Sequence, residues 1–196
     1  MKIVRYSAWA LVVILLAFAG YAWTAGGAGK SVMKMAGADI GGPFSLQRTD
    51  GTAISEQDLM GKSHAIFFGF THCPEVCPTT LFEAAGWLEN LGDDADKFAI
   101  YFITVDPERD TPEMLDLYME SFPGITGLSG TPEELAEVQK LYRVYSRKVP
   151  LEDGDYTVDH TATVYLMDKD GKFSGTIAYG ENPDTAMEKI RKLIDT

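Results

Sequence analysis

The stretch that decides the fold is residues 65–78, AIFFGFTHCPEVCP. Residues 65–70 are apolar at nearly every position, which is typical of a strand buried on both faces in the middle of a sheet. Both cysteines of the chain, Cys73 and Cys77, follow at once. Residues 79–90 then have the apolar spacing of an amphipathic helix. The sequence therefore places both cysteines between a strand end and a helix start.

Outward from this stretch, strands and helices alternate. Thr131 and Glu134 form the capping box that opens one helix. The other predicted elements are a hairpin over residues 43–54, a strand at 98–105, helices from 112, from 132 to about 145 and from 183 to about 194, and a hairpin over 162–179. The order ββ-βα-βα-α-ββα predicts an α/β fold, a thioredoxin-like central mixed sheet flanked by helices.

The N-terminal region is uncharged and apolar over residues 6–25, after Lys2 and Arg5. Its length matches the roughly 20 residues that span a membrane as a helix. A cleaved signal peptide is the alternative, because Ala17 and Ala19 have the spacing of a cleavage site. The predicted organisation is a cytoplasmic N terminus at 1–5, a transmembrane helix at 6–25, a flexible tether at 26–40 and the thioredoxin-like domain at 41–196.

Both interpretations of the N-terminal segment export the domain. The expected location is the periplasmic side of the inner membrane, with the mitochondrial intermembrane space as its equivalent. The net charge of −12, with every acidic residue after Lys30, argues against nucleic acid as a partner. Two cysteines are too few for a fold stapled by disulfides, so they form one structural bridge or a reactive pair.

The cysteine loop predicts soft metal or redox chemistry. A helix N-terminus favours the thiolate, so the pKa values of both Cys73 and Cys77 should be depressed. Three residues separate the two sulfurs, which leaves room for them to converge on an ion or to bond to each other. Two thiolates and one imidazole satisfy Cu(I), whereas structural zinc usually takes four ligands.

Three histidines are available to complete such a site. His64 begins the buried strand and is interpreted as structural. His72 adjoins Cys73, and its side chain is expected to diverge from the cysteine and to tune the thiolates rather than bind. His160 precedes the strand predicted at residues 162–167, and in a thioredoxin-like sheet the loop leading into that strand lies beside the reactive cysteines.

These residues belong to longer patterns, namely GFTHCPEVCP at 69–78, TVDPERDTPE at 104–113, YRVY at 142–145, VDHT at 158–161 and YLMD at 165–168. Together they resemble the Sco/SenC family of copper proteins. The resemblance covers most of the exported domain. One departure is Lys169, where the family commonly has a proline in a turn far from the site.

The resemblance implies that Cys73, Cys77 and His160 bind copper as Cu(I), with Cu(II) as a second candidate state. The implied partners are subunit II of cytochrome c oxidase or a copper donor protein. The family pattern also implies that Asp106, Glu108 and Arg109 lie near the site, but the preferred interpretation is that they are turn and helix-capping residues. Asp159 either orients His160 or only shapes its turn.

Two functions remain open at this stage. The first is a metallochaperone, not an enzyme, that supplies copper to the dinuclear site of the oxidase. The second is a membrane-anchored thiol-disulfide oxidoreductase in which Cys73 attacks and Cys77 resolves, reducing the copper-ligand cysteines of the oxidase. A thioredoxin-like peroxidase and a purely structural disulfide are weaker alternatives.

Overall fold

The computed structural model describes residues 40–152 and 154–196. Its strands are β1 (Ser45–Arg48), β2 (Ala53–Ser55), β3 (Ser63–Gly69), β4 (Phe98–Thr104), β5 (Ile125–Ser129), β6 (Ser146–Pro150), β7 (Tyr156–His160), β8 (Thr163–Met167) and β9 (Phe173–Ala178). Its helices are α1 (Glu56–Leu59), α2 (Val76–Leu91), α3 (Pro112–Met119), α4 (Pro132–Leu141) and α5 (Pro183–Ile194), with a 3-10 turn at Gly92–Lys97.

The main sheet has seven strands in the order β2-β1-β5-β4-β3-β8-β9. The central strands β3, β4 and β5 are parallel, and the flanking pairs are antiparallel. This is the mixed sheet that the sequence predicts. Gly69 pairs with Thr104, so the chain leaves β3 and β4 at the same edge. The cysteine loop and the loop after β4 therefore meet there.

The central strand β3 is buried along its whole length, as predicted. Successive side chains of a strand point to opposite faces of the sheet. The ring of Phe68 packs on Tyr142, which caps α4, and on Tyr165. The ring of Phe67 packs on Phe102, whose ring in turn contacts α3. Helices thus cover both faces of the sheet.

Several elements differ from the prediction. Strand β5 lies between α3 and α4, where no strand was predicted. Strands β6 and β7 form a separate two-stranded sheet, and no strand was predicted over either of them. Helix α4 ends at Leu141 and not near Tyr145, because Arg143 adopts a left-handed conformation with φ of 56°.

The predicted anchor at residues 6–25 lies outside the described residues, and so does the predicted tether at 26–40 except for its last residue. Among residues 40–152 and 154–196, no helix is long and apolar enough to cross a membrane.

Candidate metal centre

The two cysteines occupy successive steps of the turn from β3 into α2. The amide of Cys73 donates to the carbonyl of Phe70, which closes a turn after the strand. Cys77 lies in the first turn of α2, and its amide donates to Sγ of Cys73 over 3.4 Å. Cys77 is fully buried and Cys73 is partly exposed. Both thiols are free. The predicted placement between strand and helix is thus correct.

Gly69 makes room for the buried sulfur. A Cβ atom added at this position would lie 2.8 Å from Sγ of Cys77 and 2.6 Å from the Phe102 ring. Both distances are shorter than any van der Waals contact allows. The absence of a side chain at the last residue of β3 therefore lets Cys77 approach the sheet.

His160 brings a third donor to the cysteines from the end of β7. Its Nε2 atom lies 3.5 Å from Sγ of Cys77. On the other side of the ring, Nδ1 lies 3.1 Å from the carbonyl oxygen of Thr161. A carbonyl only accepts, so Nδ1 carries the proton and the lone pair of Nε2 faces the sulfurs.

Two phenylalanine rings pack against the imidazole ring of His160. The Phe70 ring packs at 5.7 Å between centroids and is nearly perpendicular to the imidazole, and the Phe67 ring packs at 6.3 Å with an interplanar angle of 62°. One sulfur atom each from Cys73 and Cys77 and one ring nitrogen of His160 lie within 4.8 Å of one another. The structure thus brings together the three residues that the sequence analysis named.

The pKa values of the two thiols are shifted in opposite directions. The pKa of Cys73 is lowered to about 4, chiefly because the Cys77 side chain hydrogen-bonds to its sulfur, with further lowering by backbone amides. The pKa of Cys77 is raised, because it keeps the proton that it shares with Cys73 and because it is buried. The prediction that both pKa values are depressed is wrong for Cys77, since burial and the neighbouring thiolate outweigh the helix N-terminus.

The other two histidines lie outside this group. His64 is only 2% exposed; its Nδ1 atom lies 3.0 Å from the Lys62 carbonyl, and its ring packs on Tyr101. This is the structural role predicted for it. The Nδ1 atom of His72 lies 2.9 Å from Oγ1 of Thr71, so this ring is engaged by a hydroxyl and not by a cysteine.

Asp159 does not orient the imidazole of His160. Its carboxylate pairs with Arg147 across the hairpin at 3.3 Å, on the surface. The carbonyl of Thr161 takes the role that the sequence analysis considered for Asp159.

One buried group was missed by the sequence analysis. Asp110 is fully buried and accepts hydrogen bonds from the Thr104 hydroxyl at 2.6 Å and from both the hydroxyl and the amide of Thr71. It therefore joins the loop after β4 to the residue that precedes His72 and Cys73. Two acidic residues four positions apart, Asp106 and Asp110, after a predicted parallel strand were the available signal.

The donor set fits a soft monovalent metal. Two sulfurs and a neutral imidazole are the ligands that Cu(I) accepts at low coordination number. A thiolate already forms on Cys73, and metal binding displaces the proton from Cys77. Among the described residues, this is the one group of three or more histidines, cysteines and acidic residues whose ligand atoms converge.

Fold and site together define a thioredoxin-like domain with a metal-binding group of two cysteines and a histidine. The family model described as SCO1/SenC matches residues 32–195. The chain belongs to the SCO1/SenC family. It is 44% identical over 149 residues to Protein SCO1 homolog 1, mitochondrial, of Arabidopsis thaliana, covering 75% of this chain and 44% of the relative. It is 40% identical over 158 residues to mitochondrial Protein SCO1 of Saccharomyces cerevisiae, covering 77% and 52%. The chain thus spans about half the length of these relatives.

Solved structures of relatives contain copper. ScoI of Bradyrhizobium japonicum with copper bound is 51% identical, with a TM-score of 0.73, covering 79% of this chain and 99% of that one. Yeast Sco1 with copper bound is 38% identical, with a TM-score of 0.74, covering 81% and 90%.

Proposed function

We propose that this protein binds copper through Cys73, Cys77 and His160 and supplies it during assembly of the dinuclear copper site of cytochrome c oxidase. The single observation that carries the proposal is the convergence of two sulfurs and one imidazole nitrogen within 4.8 Å. The copper-bound structures of similar Sco proteins support the choice of metal. Copper is the cargo in this function, and its transfer to the partner leaves the protein chemically unchanged.

Release of Cu(I) proceeds as ligand exchange without electron transfer. An incoming thiolate of the partner, as in subunit II of the oxidase, bonds to copper as one bond from this protein breaks. His160 is the neutral ligand of the set, so its departure does not change the net charge at the site. Cys73 is partly exposed and Cys77 buried, so the partner approaches from the Cys73 side. The sulfurs then recover a proton as the metal departs.

The proposal also includes the location of the domain. Residues 6–25 anchor the protein in the membrane, and the domain lies on the periplasmic or intermembrane-space side. Several relatives of this chain are named as mitochondrial proteins, which supports such a location. Protease accessibility of the domain in intact spheroplasts tests the orientation. A domain that is cleaved only after lysis contradicts it.

Anaerobic titration of the reduced protein with Cu(I) tests the copper site directly. One equivalent should bind, and His160→Ala should bind more weakly. His72→Ala is the matched control, because His72 adjoins Cys73 but points to Thr71 and lies outside the donor group. Equal affinity of the wild type and His160→Ala means that the proposed donor set is wrong.

A thiol-disulfide oxidoreductase is the second candidate, and the unequal acidities of the thiols favour it. A partly exposed thiolate on Cys73 beside a buried, protonated Cys77 is the arrangement of an attacking and a resolving cysteine. Complementation of an oxidase-deficient deletion strain separates the two functions. A reductase tolerates His160→Ala and fails with Cys73→Ser, whereas a copper carrier fails with both.

A further inference from the structure

The hairpin that carries His160 is not part of the main sheet. Among the residues that the structure describes, strands β6 and β7 pair only with each other and form a sheet of two strands. An isolated two-stranded hairpin is marginally stable in water. The position of the His160 imidazole therefore depends on contacts between this hairpin and the rest of the domain.

Arg109, in the loop after β4, makes several of these contacts with one side chain. Its Nε donates to Oδ2 of Asp106 at 2.6 Å. Its Nη1 donates to the carbonyl of Tyr156 at 2.8 Å and to the carboxylate of Asp155 at 3.2 Å. The guanidinium carbon also lies 3.7 Å from the centroid of the Tyr156 ring. The side chain is only 16% exposed, so water competes weakly for these contacts.

Asp106 contacts the same tyrosine, Tyr156, at the hydroxyl end of its side chain. Its carboxylate is fully buried, and while Oδ2 accepts from Arg109, Oδ1 accepts from the hydroxyl of Tyr156 at 2.8 Å. Tyr156 is thus held at its backbone carbonyl, its ring and its hydroxyl. We call Asp106, Arg109 and Tyr156 the hairpin clamp. Glu108 adds an ion pair with Lys148 of β6.

The clamp reaches His160 by two routes. Along the chain, Tyr156 begins β7 and His160 ends it. Through side chains, the guanidinium of Arg109 lies 5.8 Å from the centroid of the Phe70 ring, and the same ring packs against the imidazole of His160. Both sets of contacts restrain the imidazole ring of His160, whose Nε2 atom faces Cys77.

We propose that Arg109 is a positioning residue for the metal centre, holding β7 so that the imidazole of His160 faces the two sulfurs. The inference rests on the proposed copper site. Without the clamp, His160 must be ordered when the metal binds, and the entropy of that ordering is lost from the binding free energy. Groups that orient metal ligands without touching the metal typically change affinity about 10–100-fold.

A double-mutant cycle tests this role. Cu(I) affinity is measured anaerobically by competition with a chromophoric chelator for the wild type, Arg109→Ala, His160→Ala and the double variant. Arg109→Ala should weaken binding about 10–100-fold when His160 is present. In the His160→Ala background the same change should cost less than about twofold, because the two residues act through one contact. X-ray absorption should show loss of the nitrogen neighbour of Cu(I) in Arg109→Ala.

Arg147→Ala is the matched control. Arg147 is an arginine of the same hairpin that pairs with Asp159 on the surface, and its loss should leave affinity and spectrum unchanged. Should Arg109→Ala fail to fold by circular dichroism, Arg109→Lys, which keeps the charge beside Asp106 but lacks the forked donor, carries the same expectation. An Arg109 variant that binds like the wild type, or that weakens binding equally in both backgrounds, overturns the inference alone. A wild type that binds no Cu(I) overturns the proposed function as well.

Discussion

Sγ of Cys77 lies 3.5 Å from Nε2 of His160, although 83 positions separate the two residues along the chain. One residue sits at the start of a helix in the main α/β layer and the other at the end of a separate hairpin. The contact exists only when both structures are complete. A metal that binds both residues therefore requires that the main sheet with its helix and the separate hairpin have both formed.

Gly69→Ala should destabilise the domain and disturb the cysteines together. Its Cβ would overlap Sγ of Cys77 and the Phe102 ring, and such overpacking typically costs about 1–3 kcal/mol. Gly86→Ala, in α2, is the control; an added Cβ there meets nothing within 4 Å, and alanine should stabilise the helix by about 0.5–1 kcal/mol. Urea unfolding measures both. Equal stability of the two variants would show that the space beside Cys77 is not restricted.

Alkylation of the reduced, metal-free protein should be fast at Cys73 and independent of pH from about pH 6 to 8. The reason is that the pKa of Cys73, lowered to about 4, keeps this thiol ionised throughout that range. Iodoacetamide kinetics with mass spectrometry measure the rate at each cysteine. Cys77 should be nearly unreactive, because its pKa is raised and its side chain is buried.

Two substitutions at Cys77 separate the cause of this acidity. Cys77→Ser keeps a hydroxyl donor for the Cys73 sulfur, so the rate should stay independent of pH. Cys77→Ala removes the donor that contributes most to the lowered pKa, so the rate should rise with pH as it does for an ordinary thiol. The same pH profile in both variants would contradict the role of the Cys77 side chain.

The core elements of the fold were predictable because their signals are local. The apolar run of β3 and the capping box of Thr131 and Glu134 lie within a few residues of the structures that they specify. Strand β5 was missed because ITGLS is short and contains Gly127, which lets Met119 and Leu115 pack against the backbone. Strand β6 was missed because SRKVP has no fully buried face and so no apolar alternation.

The site was predictable to the extent that it follows from the chain near the cysteines. The strand-to-helix placement of Cys73 and Cys77 comes from adjacent residues, and the structure agrees. The approach of His160 depends on a hairpin with weak sequence signals, so the family resemblance and not the spacing named this residue. Asp110 was missed because its burial depends on Thr71 and Thr104, which lie on two different strand ends.

Asp110→Asn should change how stability depends on pH. Burial raises the pKa of Asp110 above its ordinary value of 3.8, with hydrogen bonds from Thr104 and Thr71 opposing the shift. A raised folded-state pKa contributes stability that is present below the unfolded pKa and is lost as pH rises through the folded one. The wild type should therefore lose stability relative to Asp110→Asn as pH rises from below 3.8 towards neutrality.

Urea unfolding over a pH series measures the difference between the wild type and Asp110→Asn. Asp93→Asn is the control, since Asp93 is an exposed carboxylate. Its difference from the wild type should not follow the same curve. A stability difference that stays constant with pH for Asp110→Asn would mean that its carboxyl has the same pKa in the folded and unfolded chains.

Cu(I) loading should stabilise the folded domain, and the three donor residues should contribute unequally. A ligand that binds only the folded state stabilises it by about 2.7 kcal/mol at a free concentration 100 times its Kd, and less where unfolded cysteines also bind. The Cys73→Ser, Cys77→Ser double variant should show no increase in the urea midpoint at buffered Cu(I). His160→Ala should show a smaller increase than the wild type, because both sulfurs remain. The comparison of the wild type with His160→Ala isolates the contribution of His160, because both chains keep the two cysteines and so bind Cu(I) similarly when unfolded. An equal increase in the wild type and in His160→Ala would indicate that copper is held by the cysteines alone.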